Sequence, residues 1–259
     1  MKPLHNVSVI MRYTLHESLN NRILWLACVF AVIGIGGASF VGDFSIVEYK
    51  KTEIALLSSF YRFCAVFFMM VLVISTMVRE FNDKCLELYL SLPISRFVYF
   101  AGKLSGFFVT GVAVAAIYTL MLLFYAEPEA TLFWALSLIC ELMIVTAVSF
   151  FCVMTFNQQL PASMATAFFF YLMCRASDGL LLLAKSELIL HTTGAAYMTQ
   201  AMETFVLLLP SLGRFTRSDW LIYGDPAIVE LLPLILVQTL IYTLLLSFAS
   251  LFDFLRKNI

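Results

Sequence analysis

A chain of 259 residues that is 62% hydrophobic and only 13% charged lies far from the roughly one-quarter charged composition of a soluble domain. Its net charge of −1 and the lack of any basic block leave no electrostatic footprint for nucleic acid. Several apolar runs approach the ~20 residues that cross a ~30 Å hydrocarbon core as helix, so the expected class is an all-α, multi-pass membrane protein forming one domain over residues 1–259.

Residues 1–21 mix Leu4, Val7, Ile10, Met11, Leu15 and Leu19 with His5, Arg12, His16 and Glu17. The apolar residues recur at helical spacing, imperfectly at Ser8 and Thr14, which predicts an amphipathic helix in the membrane interface. The first apolar span, 23–41, is too long for the ~7–15-residue core of a secretory signal and reads as a retained helix. Gly34, Ala38 and Gly42 recur every four residues along it and permit close helix approach. Span two covers about 54–78. A charged island over 79–96 separates it from span three, about 97–125, where Gly102 and Gly106 form another small-residue pair. Span four covers about 132–156. Pro161 suits the first turn of span five, about 161–183, and span six covers about 228–252.

The segment 184–227 is expected on the outer side. Within it, Ala195 to Leu209 is too short to span and predicts a re-entrant or interfacial helix. Ser211 to Gly224 reads as a turn-rich stretch with Trp220 and Tyr223 in an aromatic belt. Six spans put both termini on one side. Lys2, Arg12, Arg22, Arg79, Lys84, Arg96, Lys103, Arg256 and Lys257 share the side of the island, against Lys50, Lys51, Lys185, Arg214 and Arg217 opposite. The positive-inside bias then makes the island and both termini cytoplasmic.

Arg62, Glu141, Arg175 and Asp178 lie within apolar spans. Each costs about 2.5–3.5 kcal/mol at mid-helix on insertion scales, so each needs a partner or water. Arg62 and Glu141 enter from the same face to similar depths, which predicts an intramembrane pair, lining a substrate path or joining helices. Arg175 and Asp178 are three residues apart and can pair on one helix face, as an outer-gate or interface-anchoring element.

Nothing in the chain matches a phosphate-binding loop, a zinc-protease motif or a nucleophile elbow. The histidines, His5, His16 and His191, are scattered. No catalytic residue, metal site or cofactor-binding residue is expected. The six cysteines, without a C-x-x-C pair, read as small packing residues, and the twelve methionines as core filling.

The island carries the most specific pattern. Asn82 or Asp83 can cap a short helix through Leu90, Pro93 forces a turn, and Ser95 can cap span three. A two-turn helix presenting Leu86, Tyr89 and Leu90, with Lys84 and Glu87 at the rim, suits insertion into a groove.

The run Leu86-Glu87-Leu88, Leu90-Ser91-Leu92-Pro93-Ile94-Ser95-Arg96, followed by Gly102-Lys103, resembles the type-2 ABC exporter permeases. Lys84-Cys85 stands where that family has Gly-Thr. The stretch Leu209-Pro210-Ser211-Leu212 to Asp219-Trp220-Leu221-Ile222-Tyr223-Gly224 is similar to a branch that includes the permease of the nitrous oxide reductase maturation transporter. The resemblance implies a cytoplasmic coupling helix between spans two and three, with ATPase-coupling contacts at Glu80, Asp83, Leu86, Glu87, Tyr89, Leu90, Pro93 and Arg96. It further implies a separate ABC ATPase subunit holding ATP and Mg, a second permease copy or sister permease, and residence in the cell inner membrane among its lipids. A non-transporting scaffold, a channel or secondary carrier, and an intramembrane enzyme are the competing classes. The carrier is opposed by the lack of broken mid-span helices, the enzyme by the missing catalytic constellations.

Overall fold

In the structure, a computed structural model, the described residues are 3–43, 49–83, 95–156, 159–184, 204, 209–216, 221 and 228–256. They are helical almost throughout: α1 (Pro3–Leu19), α2 (Arg22–Asp43), α3 (Tyr49–Asn82), α4 (Arg96–Leu122), α5 (Pro128–Thr155), α6 (Leu160–Ala184), the single turn α7 (Leu212–Phe215) and α8 (Ile228–Arg256). Among the described residues, five helices are long and apolar enough to cross a membrane: α2, α3, α4, α5 and α8. The chain is a multi-pass helical membrane protein. α6, at 25 residues, is about 37 Å long and packs against α3 and α5.

α3 and α5 form the centre. Of their most apolar stretches 72% and 78% are buried, against 22% for α2 and for α8. Trp25, Val32, Phe40, Leu240 and Phe248 accordingly present bare apolar surface, which hydrocarbon covers without loss. The predicted cap of span three is present: Ser95 is extended and its hydroxyl accepts from the Val98 amide at 3.4 Å.

α2 is held by small residues and tyrosines. A Cβ on Gly34 would lie 2.7 Å from the Tyr61 ring and 2.8 Å from that of Phe60, so the aromatic rings of α3 lie directly against the α2 backbone. The hydroxyls of Tyr61 and Tyr118 donate to the carbonyls of Ala31 (2.9 Å) and Ala27 (3.1 Å). Both rings stay in the apolar core while their polar ends are satisfied.

The glycine pair of α4 receives α1, the N-terminal amphipathic helix, and not another span. A Cβ on Gly102 would lie 2.7 Å from Ile10 Cβ, and one on Gly106 would lie 2.6 Å from Thr14 Cβ. Thr14, which breaks the apolar pattern of the sequence, is wholly buried there. Its hydroxyl bonds back to the Ile10 carbonyl at 2.9 Å, leaving a methyl to fill the notch. Gly106→Leu is therefore expected to dislodge α1. The overpacking cost is about 1–3 kcal/mol, read as a lowered melting temperature in detergent and faster proteolysis between residues 3 and 21. Unchanged protection of that segment counts against the contact.

Candidate functional site

Two polar clusters interrupt the apolar bundle. The deeper one centres on Arg62, whose side chain is 2% exposed. Its Nη1 lies 2.8 Å from Glu141 Oε2, 2.8 Å from the carbonyl oxygen of Phe215 and 3.3 Å from Ser137 Oγ. The guanidinium also lies 5.3 Å above the Trp134 ring, a cation–π contact that strengthens when water is excluded. Beyond Glu141 the chain of donors continues. Tyr171 Oη donates to Glu141 Oε1 at 3.0 Å, and Arg175 Nη1 donates to Tyr171 Oη at 3.1 Å. Thus Arg62, Glu141 and Arg175 are brought into one network through Tyr171. The side chain of Asp178 lies outside the described residues.

Phe215 shows why this cluster differs from an ordinary interhelical ion pair. It belongs to the segment between α6 and α8, yet it is completely buried, as is Leu212 to within 1%. Leu212 shares a small apolar recess with Met70, Ile144, Val145, Val148, Ala167 and Tyr171, all from the middle portions of α3, α5 and α6. The segment 209–216 is therefore packed into the interior of the helix bundle. Irregular backbone survives at such depth only when protein groups satisfy it. Here the Phe215 carbonyl, at the end of α7, accepts from Arg62 and from Ser137 Oγ at 2.6 Å. Ser211 Oγ and Gln238 of α8, 3.3 Å apart, fasten the other end.

The turn-rich stretch expected over Ser211 to Phe215 is thus a buried turn packed among the helices. Turn-forming residues read as surface when no partner is in view, whereas Arg62 and Ser137 supply the missing donors. The expected re-entrant helix, 195–209, falls almost wholly outside the described residues. So do Lys84 to Ile94 of the island, and with them Leu86, Glu87, Tyr89, Leu90 and Pro93.

The second cluster lies where α3 ends and α4 begins. Glu80 and Lys103 form a buried ion pair. Tyr99 Oη donates to Glu80 Oε2 at 2.8 Å. Lys103 Nζ also reaches Glu17 Oε2 of α1 at 3.4 Å and stands 5.8 Å over the Tyr13 ring. Arg79 Nη2 contacts Glu17 Oε1 at 3.5 Å from a mostly exposed position. The cluster ties α1, α3 and α4 together at one level. Glu80 thus faces inward, 6% exposed, while Asp83 is exposed and Arg96 half-buried at the ends of the island.

Sequence reasoning missed Tyr171, Ser137, Phe215, Lys103, Tyr99 and Glu17. Signals existed for two of them. Tyr171 precedes Arg175 by one helical turn, and Lys103 is a lone cation seven residues into an apolar helix. Among the described residues, no group of three His, Cys, Asp or Glu side chains is placed to hold a metal, and Cys28, Cys64, Cys140, Cys152 and Cys174 are free thiols. No protein family's sequence model matches the chain, and comparison with curated proteins finds no match.

Removing one partner of a buried ion pair strands the other charge, at about 3–5 kcal/mol, whereas an apolar replacement of both is often near neutral. Arg62→Met and Glu141→Met are expected to lower stability in detergent by that order, and the double variant to recover most of the loss. Additive losses in the double variant would show that the two charges do not act on each other.

Proposed function

We propose that this chain is the membrane-spanning subunit of an ATP-driven transporter of the ABC exporter type, with ATP hydrolysed by a separate subunit. In this reading α6 is the sixth crossing. Both termini and the island face the cytoplasm, and the chain sits in the cytoplasmic membrane beside a second copy or a sister permease. Residues 84–94 form the coupling element that the ATPase grips. Support comes from the resemblance of the island to the permease motif, the multi-pass architecture, and a sequence without a phosphate-binding loop of its own.

The observation that carries the reading is the clamp at the base of the island. A lever works only if its mounting is stiff. α3 leads into residues 84–94 and α4 leads out, and Glu80 in the last turn of α3 is locked to Tyr99 and Lys103, about one and two turns into α4. From this clamp α3 runs unbroken to Arg62, 18 residues or about 27 Å away, where its guanidinium holds the buried turn. A displacement of the island is thereby delivered to a gate-like element on the opposite half of the bundle. Glu80 serves in the mounting, and Leu86, Glu87, Tyr89 and Leu90 in the contact.

Glu87→Ala combined with Leu90→Ala is expected to leave the protein in the membrane while reducing stimulation of its copurifying ATPase at least tenfold. ATPase assays in proteoliposomes measure this. Full stimulation by the double variant, or the absence of any copurifying ATPase, sinks the coupling assignment.

A further inference from the structure

At the end of the bundle where α3 finishes, a cleft of about 540 Å³ opens between the last turn of α1, the link to α2 and Arg79. Among the described residues its walls are Tyr13, His16, Glu17, Asn20, Asn21, Arg22 and Arg79, without an aliphatic side chain. Arg22 is exposed and has no acceptor among the described residues. Arg79 is 68% exposed, its contact to Glu17 is a long 3.5 Å, and Glu17 is also engaged by Lys103. Among the described residues the cleft's one carboxylate, Glu17, is engaged by Lys103 as well as Arg79, so the guanidiniums of Arg22 and Arg79 outnumber it. Planar guanidinium forks and amide donors are the groups that match phosphate oxygens.

Depth selects the source of that phosphate. Arg22 is the first residue of α2, a helix apolar enough to cross the membrane. Trp25, one turn further in, is 71% exposed, at the level where tryptophans mark the water–hydrocarbon boundary. From Trp25 an unbroken apolar face continues through Val29 and Val32, which are 50% and 63% exposed and recur at helical spacing. A basic, polar cleft above a bare apolar stripe has the shape of an amphiphile.

We infer that this cleft binds the phosphodiester of a membrane phospholipid between Arg22 and Arg79, with the acyl chains lying along the Trp25–Val29–Val32 face of α2. A soluble phosphate would share the headgroup chemistry but has no use for the stripe. The inference rests on the multi-pass architecture alone and stands apart from the transport reading.

The test uses the full chain in detergent, native mass spectrometry, and three probes: phosphatidylglycerol, diacylglycerol and inorganic phosphate. Phosphatidylglycerol is expected to remain bound to the wild type and to lose affinity roughly tenfold or more in Arg22→Gln/Arg79→Gln, given the worth of each basic residue at a lipid surface. Diacylglycerol, lacking the phosphate, should bind weakly to both proteins. Arg22→Lys/Arg79→Lys should recover much of the binding, and matching melting temperatures of the three proteins show that the fold is intact. Equal retention of phosphatidylglycerol by the wild type and the glutamine variant overturns the site. Displacement of the lipid by millimolar inorganic phosphate overturns the lipid assignment in favour of a soluble phosphate.

Discussion

A guanidinium inside an apolar bundle must be given acceptors, and the fold is arranged around that demand at Arg62. Leaving its charge unpaired would cost several kcal/mol. One carboxylate, one hydroxyl and one backbone carbonyl converge on the same nitrogen. They come from α5 and from the buried turn, so a single side chain of α3 organises elements that are distant in sequence. The relation is mutual. The carbonyl of Phe215 could not be carried to that depth without Arg62 and Ser137 to receive it, and Leu212 and Phe215 could not then fill the space between α5 and α6. Tyr171 extends the network to α6 by satisfying the second oxygen of Glu141.

The Glu80–Lys103 cluster works by the same physics with a different result. Its carboxylates and cations belong to α1, α3 and α4, and each carboxylate has a countercharge within the cluster. α1 is held there by two independent means: the notch at Gly102 and Gly106, and the reach of Glu17 to Lys103. An amphipathic helix that only rested on a membrane would need neither. Backbone approach at the notch is possible because glycine places no Cβ between the helices, and it is this closeness that brings Glu17 within reach of a lysine on the neighbouring helix.

Long apolar runs made the spans legible, because length and hydropathy alone decide whether a helix can cross a bilayer. The Ser95 cap was legible from local chemistry, and the proximity of Arg62 to Glu141 from their matched depths in neighbouring helices. Other features depend on contacts that no local pattern encodes. Gly102 and Gly106 announce a close neighbour without saying which, and the neighbour proved to be α1. Thr14 looks like a flaw in an amphipathic pattern until the notch it fills is known. Pro210-Ser211-Leu212-Gly213 has the composition of a surface turn, and only the donors waiting on α3 and α5 permit it to be buried. Residues 84–94 of the island are the part on which sequence speaks most specifically, and they lie outside the described residues.

The two clusters differ in how readily they can be undone. At Glu80 and Lys103 the partners sit on helices that enclose one another, so separation would strand charges on both sides. At Arg62 the withdrawal of the buried turn removes the Phe215 carbonyl from Arg62 and Ser137 and breaks the Ser211–Gln238 contact, but leaves Glu141 in place as countercharge. The loss is then a hydrogen bond to a charged group, about 1.5–3 kcal/mol, plus the Ser137 and Ser211 hydrogen bonds and the burial of two side chains, against the hydration gained by a freed carbonyl. Coupling energies between sites in switching proteins run to about 1–3 kcal/mol, the same order as that hydrogen bond. The Glu80–Lys103 end is therefore the harder of the two to separate, and the turn at Phe215 is the one whose removal leaves Arg62 and Glu141 paired.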